Sequence, residues 1–246
     1  MSAKKIWYFI KFFKEEEHAN QFVKGTLYLN RLSYFRSIEE DDNCTDGRQD
    51  KTEAVVIWWQ PHDLVIQIKM PGVGEAIITK DDLAGPVAVS YDHFDHFHIY
   101  CLYSVYTTGF ASIDGKLELT VGEAAELQKQ VAIDERCFKF WPFAVIVPAD
   151  RFLSHIREPL QGTGHRARGK LVEYYDDETF HSEITADNIP FKKQKRFSFQ
   201  KEFRICVQTN TAGTDPLLID IGDISHLSSE RMPSERGSEV FKLFKL

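Results

Sequence analysis

An amide and a carboxylate stand two residues apart in FSFQKEFRICV, residues 197 to 207. Phe197, Phe199, Phe203, Ile205 and Val207 are separated by two residues or a multiple of two, which predicts a β-strand over the whole stretch. Gln200 and Glu202 then project together from the face opposite that apolar row. A carboxylate fixed there could accept hydrogen bonds and offset a developing positive charge, and its company is an amide at i-2 and a basic loop just upstream. The plainer alternative is a structural ion pair between Glu202 and a neighbouring Lys or Arg.

Three other clusters carry charge in suggestive order. In GRQDKTE, 47 to 53, Arg48, Asp50 and Glu53 sit where a polar loop meets an apolar run. This is either a solvated turn or a place where Arg48 grips a phosphate through its planar fork. In FKKQKRF, 191 to 197, Lys192, Lys193, Lys195 and Arg196 form a basic run that HRARGK, 165 to 170, could extend. Such a run guards a sheet edge or faces a negatively charged target. In DHFDHFH, 92 to 98, three His and two Asp invite a metal; in an extended chain His96 and His98 share one face, and His93 and Asp95 the other. Zinc sites add ligands from a distant element, and the sequence offers none plainly, so no metal ligand is assigned. The sequence contains no GxSxG elbow, Walker loop or GxGxxG turn.

The elements that must position these groups are mostly strands. IWYFIKFF (6–13) reads as a buried strand, EEEHANQFVK (15–24) as a short helix with acids at its start, and TLYLN (26–30) as a second strand. LSYFR (32–36) reads as a helical turn, followed by a long polar loop from 37 to 52. Further strands are expected at 54–59, 64–70, 75–79, 86–90 and 98–106, at FAVIVP, KLVEYY and LLIDIG, and at a final VFKLF. Helices are expected at TVGEAAELQKQVA, with Thr120 as N-cap, and at ADRFLSHIREPL. The pattern predicts one α+β domain over residues 1–246, with a mostly antiparallel or mixed sheet flanked by short helices.

A chain of 246 residues with 43% hydrophobic and 27% charged residues can bury a core. Its net charge of -7 argues against a whole-surface nucleic-acid binder and leaves only local patches for that role. The four cysteines, Cys44, Cys101, Cys137 and Cys206, form no CxxC pair and read as reduced thiols. Lys11 interrupts the apolar N-terminal run before it reaches signal-peptide form, and no stretch has the length of a membrane span. The expectation is a soluble cytoplasmic protein with no membrane partner.

The Gln200-x-Glu202 pair, the basic turn before it and the opening IWYFIKFF–helix–GTLYLNRLSYF resemble the ADP-ribosyltransferases. The opening is similar to that of small toxin-like members of the DarT type, and the resemblance covers about residues 6 to 53, 98 to 106 and 190 to 207. It implies an ADP-ribosyltransferase-like fold, with NAD as substrate. Glu202 would be the catalytic carboxylate on a ribose hydroxyl, and Gln200 would orient the acceptor. It further implies cations for the pyrophosphate, for which Arg48, Lys11 and Arg31 are the candidates, and Tyr103 and Ser104 stand loosely where the family has a Ser-Thr-Ser strand. The first strand carries Lys11 where the family uses Arg or His. The implied acceptor is a negatively charged macromolecule, nucleic acid foremost, met by Lys192, Lys193, Lys195 and Arg196. The implied biology is a bacterial toxin or anti-phage effector with a cognate antitoxin or inhibitor. Two alternatives stand beside it: a non-catalytic binding module on the same fold, and a metal-dependent nuclease using the His/Asp cluster at 92–98.

Overall fold

The computed structural model describes residues 4–37, 52–91, 94, 96–110 and 119–241. The chain opens with β1 (Lys4–Phe13), α1 (Glu16–Val23), β2 (Thr26–Arg31) and α2 (Leu32–Ser37). Next come β3 (Val55–Trp59), β4 (Ile66–Met70), β5 (Gly74–Ile78), β6 (Val87–Ser90) and the long β7 (Phe97–Thr108). The middle holds α3 (Val121–Val131), α4 (Arg136–Phe140), β8 (Phe143–Pro148) and α5 (Ala149–Gly162). The last third holds β9 (Arg166–Leu171), β10 (Glu173–Tyr175), β11 (Ser182–Glu183), β12 (Lys192–Gln194), β13 (Glu202–Gln208), β14 (Leu217–Asp220), β15 (Met232–Pro233) and α6 (Ser234–Val240).

Eight strands form one antiparallel sheet in the order β14-β2-β7-β1-β8-β15, with β13 also on β7 and β9 on β13. One face is covered by α1 and α5. Ala19 and Phe22 of α1 and Phe152, Ile156 and Leu160 of α5 recur at helical spacing and bury against Phe9, Leu102, Val145 and Phe203 of the sheet. The opposite face carries two separate apolar clusters. One gathers Leu32, Ala54, Ile99, Ile189 and Phe191; the other gathers Ile10, Phe12, Tyr103, Ile133 and Cys137. The gap between those clusters becomes the cleft.

The expected α+β class and antiparallel sheet are present, and so is the α3 N-cap: Thr120 Oγ1 accepts from the Glu123 N–H while Glu123 accepts from the Thr120 N–H at 2.9 Å. Two expectations are corrected, and a third falls mostly outside the described residues. The stretch 197–201 is not strand: Lys195–Gln200 is a 3-10 turn and Lys201 adopts a left-handed φ of 39° before β13 begins at Glu202. Phe197 and Phe199 are each pulled toward a different anchor, Phe197 beneath the Lys193 ammonium and Phe199 against the α4 cluster. In a 3-10 turn, with three residues per turn, residues two apart point in different directions, as these two rings do. KLVEYY is two strands, broken at Val172. Of VFKLF, Val240 ends α6, and residues 242–246 lie outside the described residues.

Candidate functional site

The cleft exists because two strands share one edge of β7. On that edge β2 pairs only at His98 and Ile99, and β1 pairs from Tyr103 to Thr108. Between them the sheet forks. Lys11 reaches into the fork, and its ammonium donates to the Cys101 carbonyl at 2.8 Å and lies 4.3 Å from the centre of the Tyr100 ring. The opposite edge of β7 is laddered to β13 from Phe97 to Tyr103, with Glu202 opposite Tyr103 and Arg204 opposite Cys101. Directly paired residues share a face, so Glu202 and Arg204 point toward the side on which the fork opens.

The resulting cleft measures about 250 Å³. Glu202, Gln200, Lys193, Lys11 and Asn30 are among its polar lining residues. Its walls are aromatic: Phe12 and Trp141 stack at 5.9 Å on one side, and Tyr28 and Tyr34 stand at the other, each about half exposed. Flat rings at a partly open mouth suit a planar heteroaromatic ligand.

Glu202 is held from two sides. Its Oε1 accepts from the Lys193 ammonium at 3.0 Å and its Oε2 from Arg204 Nε at 2.7 Å. The Lys193 ammonium also donates to Gln200 Oε1 at 2.8 Å. The Gln200–Glu202 pairing expected on one strand face is therefore made by a shared ammonium across a turn. Arg204, fully buried, forks onto Glu53 at 2.7 and 2.9 Å and gives a further bond to the Pro190 carbonyl. Burial by itself would raise the Glu202 carboxyl, but the Arg204 and Lys193 charges and hydrogen bonds outweigh it and hold the group at about 2. Burial pulls Lys11 below its ordinary value, with Cys101 and Glu202 opposing. At neutral pH the carboxylate is a fixed anion. It can accept hydrogen bonds and stabilise positive charge, and it is far too weak a base to remove protons.

The other candidates divide. Tyr103 lines the cleft, with its hydroxyl donating to the Ala132 carbonyl at 3.2 Å. Ser104 is turned away and fully buried, donating to the Lys201 carbonyl at 2.5 Å. It braces the turn before Glu202 and does not line the cleft. Arg31 is not beside the cleft either: its guanidinium donates to the carbonyls of Asp215 and Thr211 at 2.8 and 2.7 Å, so it ties β2 to the 211–215 loop. Arg48 lies outside the described residues, as do Asp92, His93 and Asp95 of the His/Asp cluster. Of that cluster His98 is buried, with its ring nitrogens 3.3 Å from the Asp215 carbonyl and 3.4 Å from Thr209 Oγ1. Among the described residues no group of three or more His, Cys, Asp or Glu side chains could hold a metal ion.

The basic run does not form one outward patch. Lys193 points into the cleft, while Lys192 pairs with Glu173 at 2.8 Å and Lys195 with Asp176 at 3.0 Å. Arg196 lies over the Phe197 ring at 4.7 Å. On β9, Arg166 and Arg168 converge on Asp187 at 3.3 and 2.7 Å, and Lys170 meets Glu173. Acids interleaved with the cations cut the field that a polyanion would meet. No helix among the described residues is long and apolar enough to cross a membrane.

Two residues with a structural claim on the site were not singled out as such. Arg204 reads in the sequence as an ordinary alternating strand position, and Glu53 as part of a solvated turn; only their buried pairing marks them. For Arg204 the sequence offers one hint, a charged residue inside the otherwise apolar run FRICV. Comparison with protein-family models, with curated proteins and with solved structures finds no match for this chain.

Proposed function

We propose that the protein is an NAD-dependent ADP-ribosyltransferase whose reaction runs in the forked cleft, with Glu202 as the catalytic carboxylate. The observation that carries this reading is an ionised carboxylate at the first residue of a strand, on the floor of an aromatic-walled cleft, with Gln200 tied to it through Lys193. The chemistry asks for little else. In NAD the nicotinamide nitrogen is already cationic, so the C1′–N bond breaks with its electron pair returning to the ring. No general acid is required, and what must be stabilised is the oxocarbenium-like sugar. A fixed anion that also accepts a ribose hydroxyl serves both needs, and each Glu202 oxygen retains a second lone pair beside its existing bond. The aromatic walls offer stacking faces for the nicotinamide ring. Lys11, which lines the cleft, would meet the pyrophosphate. Gln200 would orient the acceptor, whose nucleophile attacks C1′ and gives up its proton to solvent.

The test is nicotinamide release from NAD by the purified protein, and transfer of label from NAD to nucleic acid or lysate protein. Glu202→Gln is expected to lower release by at least about a hundredfold while the circular dichroism spectrum is unchanged. Wild-type protein with neither release nor transfer overturns the reading.

One observation favours a second reading. Both oxygens of Glu202 are engaged by cations, and the buried cluster holds Lys11, Lys193 and Arg204 against Glu53 and Glu202. A cleft with that balance attracts an anion, as a nucleotide-binding module does without turnover. Calorimetric NAD binding without nicotinamide release selects that reading.

A further inference from the structure

We propose that Glu53 is a positioning residue for Glu202 and acts on it through Arg204; the catalytic half of this statement rests on the reaction class proposed above. The argument begins with the donor set of a guanidinium. An arginine beside a lone carboxylate prefers to grip both of its oxygens through a two-pronged fork. In this protein the fork is spent elsewhere. Arg204 Nη1 and Nη2 meet the two oxygens of Glu53 at 2.7 and 2.9 Å, and a further bond from Nη1 reaches the Pro190 carbonyl at 2.8 Å. Toward Glu202 the guanidinium gives one bond, from Nε to Oε2 at 2.7 Å. Arg204 therefore holds Glu202 through one oxygen, and Oε1 stays turned to Lys193 at 3.0 Å, toward Gln200 and the cleft.

The surroundings leave this arrangement little freedom. Glu53 and Arg204 are fully buried, so neither charge can exchange its partner for water. Left-handed backbone at a residue other than glycine is rare, and it flanks both carboxylates: Ala54, φ 64°, follows Glu53, and Lys201, φ 39°, precedes Glu202. The turn at Lys201 is pinned in turn by its ammonium on the Gln130 and Ala132 carbonyls at 2.8 and 3.2 Å. Strain of this kind persists where surrounding contacts over-determine the geometry, and here it sits at the two carboxylates that share Arg204.

The experiment replaces Glu53 and reads two independent signals. In Glu53→Gln the anionic partner of the fork is gone, Arg204 turns both prongs on Glu202, and Oε1 leaves Lys193. The first readout needs no NAD: the side-chain ammonium resonance of Lys193, assigned with Lys193→Met, is protected by two acceptors in the wild type and is expected to broaden or vanish in Glu53→Gln. The second is turnover: kcat for nicotinamide release is expected to fall about a hundredfold with KM within about twofold of wild type, because the residue touches no substrate. Glu53→Asp keeps the charge on a shorter arm and is expected to keep the ammonium resonance visible at a shifted position and to recover most of kcat. A folded Glu53→Gln protein with an unchanged Lys193 resonance overturns the proposal. If wild-type protein releases no nicotinamide, the reaction class fails while the resonance still decides the positioning. If Glu53→Gln does not fold, Glu53→Asp decides, with a shifted Lys193 resonance expected and an unshifted one overturning the idea.

Discussion

The depressed carboxyl of Glu202 sets a pH dependence that can be measured without any ligand. Glu202 falls from an ordinary 4.5 in the unfolded chain to about 2 in the fold. At about 1.36 kcal/mol per pH unit, that difference contributes about 3.4 kcal/mol of stability near neutrality. Its side chain is only 11% exposed, so solvent screening takes little away. A group whose folded pKa is depressed contributes fully above its unfolded value and loses the contribution as pH falls toward its folded value. The window here is therefore pH 4.5 down to about 2, and at pH 3 about 2 kcal/mol of the contribution has gone. Urea unfolding at pH 7 and pH 3 of wild type and Glu202→Gln measures it as a double difference, in which carboxylates remote from Glu202 cancel. Wild type is expected to lose about 2 kcal/mol more than the variant between the two pH values. Equal losses in both proteins would show that Glu202 titrates normally, and the reasoning from its two cationic partners would fail.

Two further outcomes are expected. Gly25 has φ 100°, and a Cβ added there would lie 2.2 Å from the Gly222 carbonyl oxygen, so Gly25→Ala should cost at least about 2 kcal/mol in denaturant unfolding; an unchanged midpoint would contradict the close approach of the α1–β2 turn to the chain after β14. Burial raises the thiols of Cys101 to about 11 and of Cys137 and Cys206 to about 12, so iodoacetamide at pH 8 should label these three sites much more slowly in native than in urea-unfolded protein when read peptide by peptide.

Much of the framework was legible because it follows from local rules. The apolar runs of β1, β7 and β8 are long and rich in aromatic and branched residues, so they read as buried strands. The apolar positions of α5 at 152, 156 and 160 define a helical stripe, and Thr120 with Glu123 announces the start of α3. Gln200 and Glu202 stood out as polar residues in an apolar stretch, and both reach the cleft. The reason given for their proximity was wrong: a turn and a shared lysine bring them together, and strand alternation does not.

What sequence alone decided about this protein is its class, an α+β chain with a core to bury, and the presence of one chemically suggestive carboxylate. Tertiary structure alone decided what that carboxylate faces. Glu53 and Arg204 are 151 positions apart, and nothing local marks their pairing. The fork between β1 and β2 depends on how two strands divide one edge of β7. A side chain's periodicity fixes the face it occupies, because that is a matter of backbone geometry. Which charges meet it on that face is settled only when distant segments pack and must find partners for every buried charge.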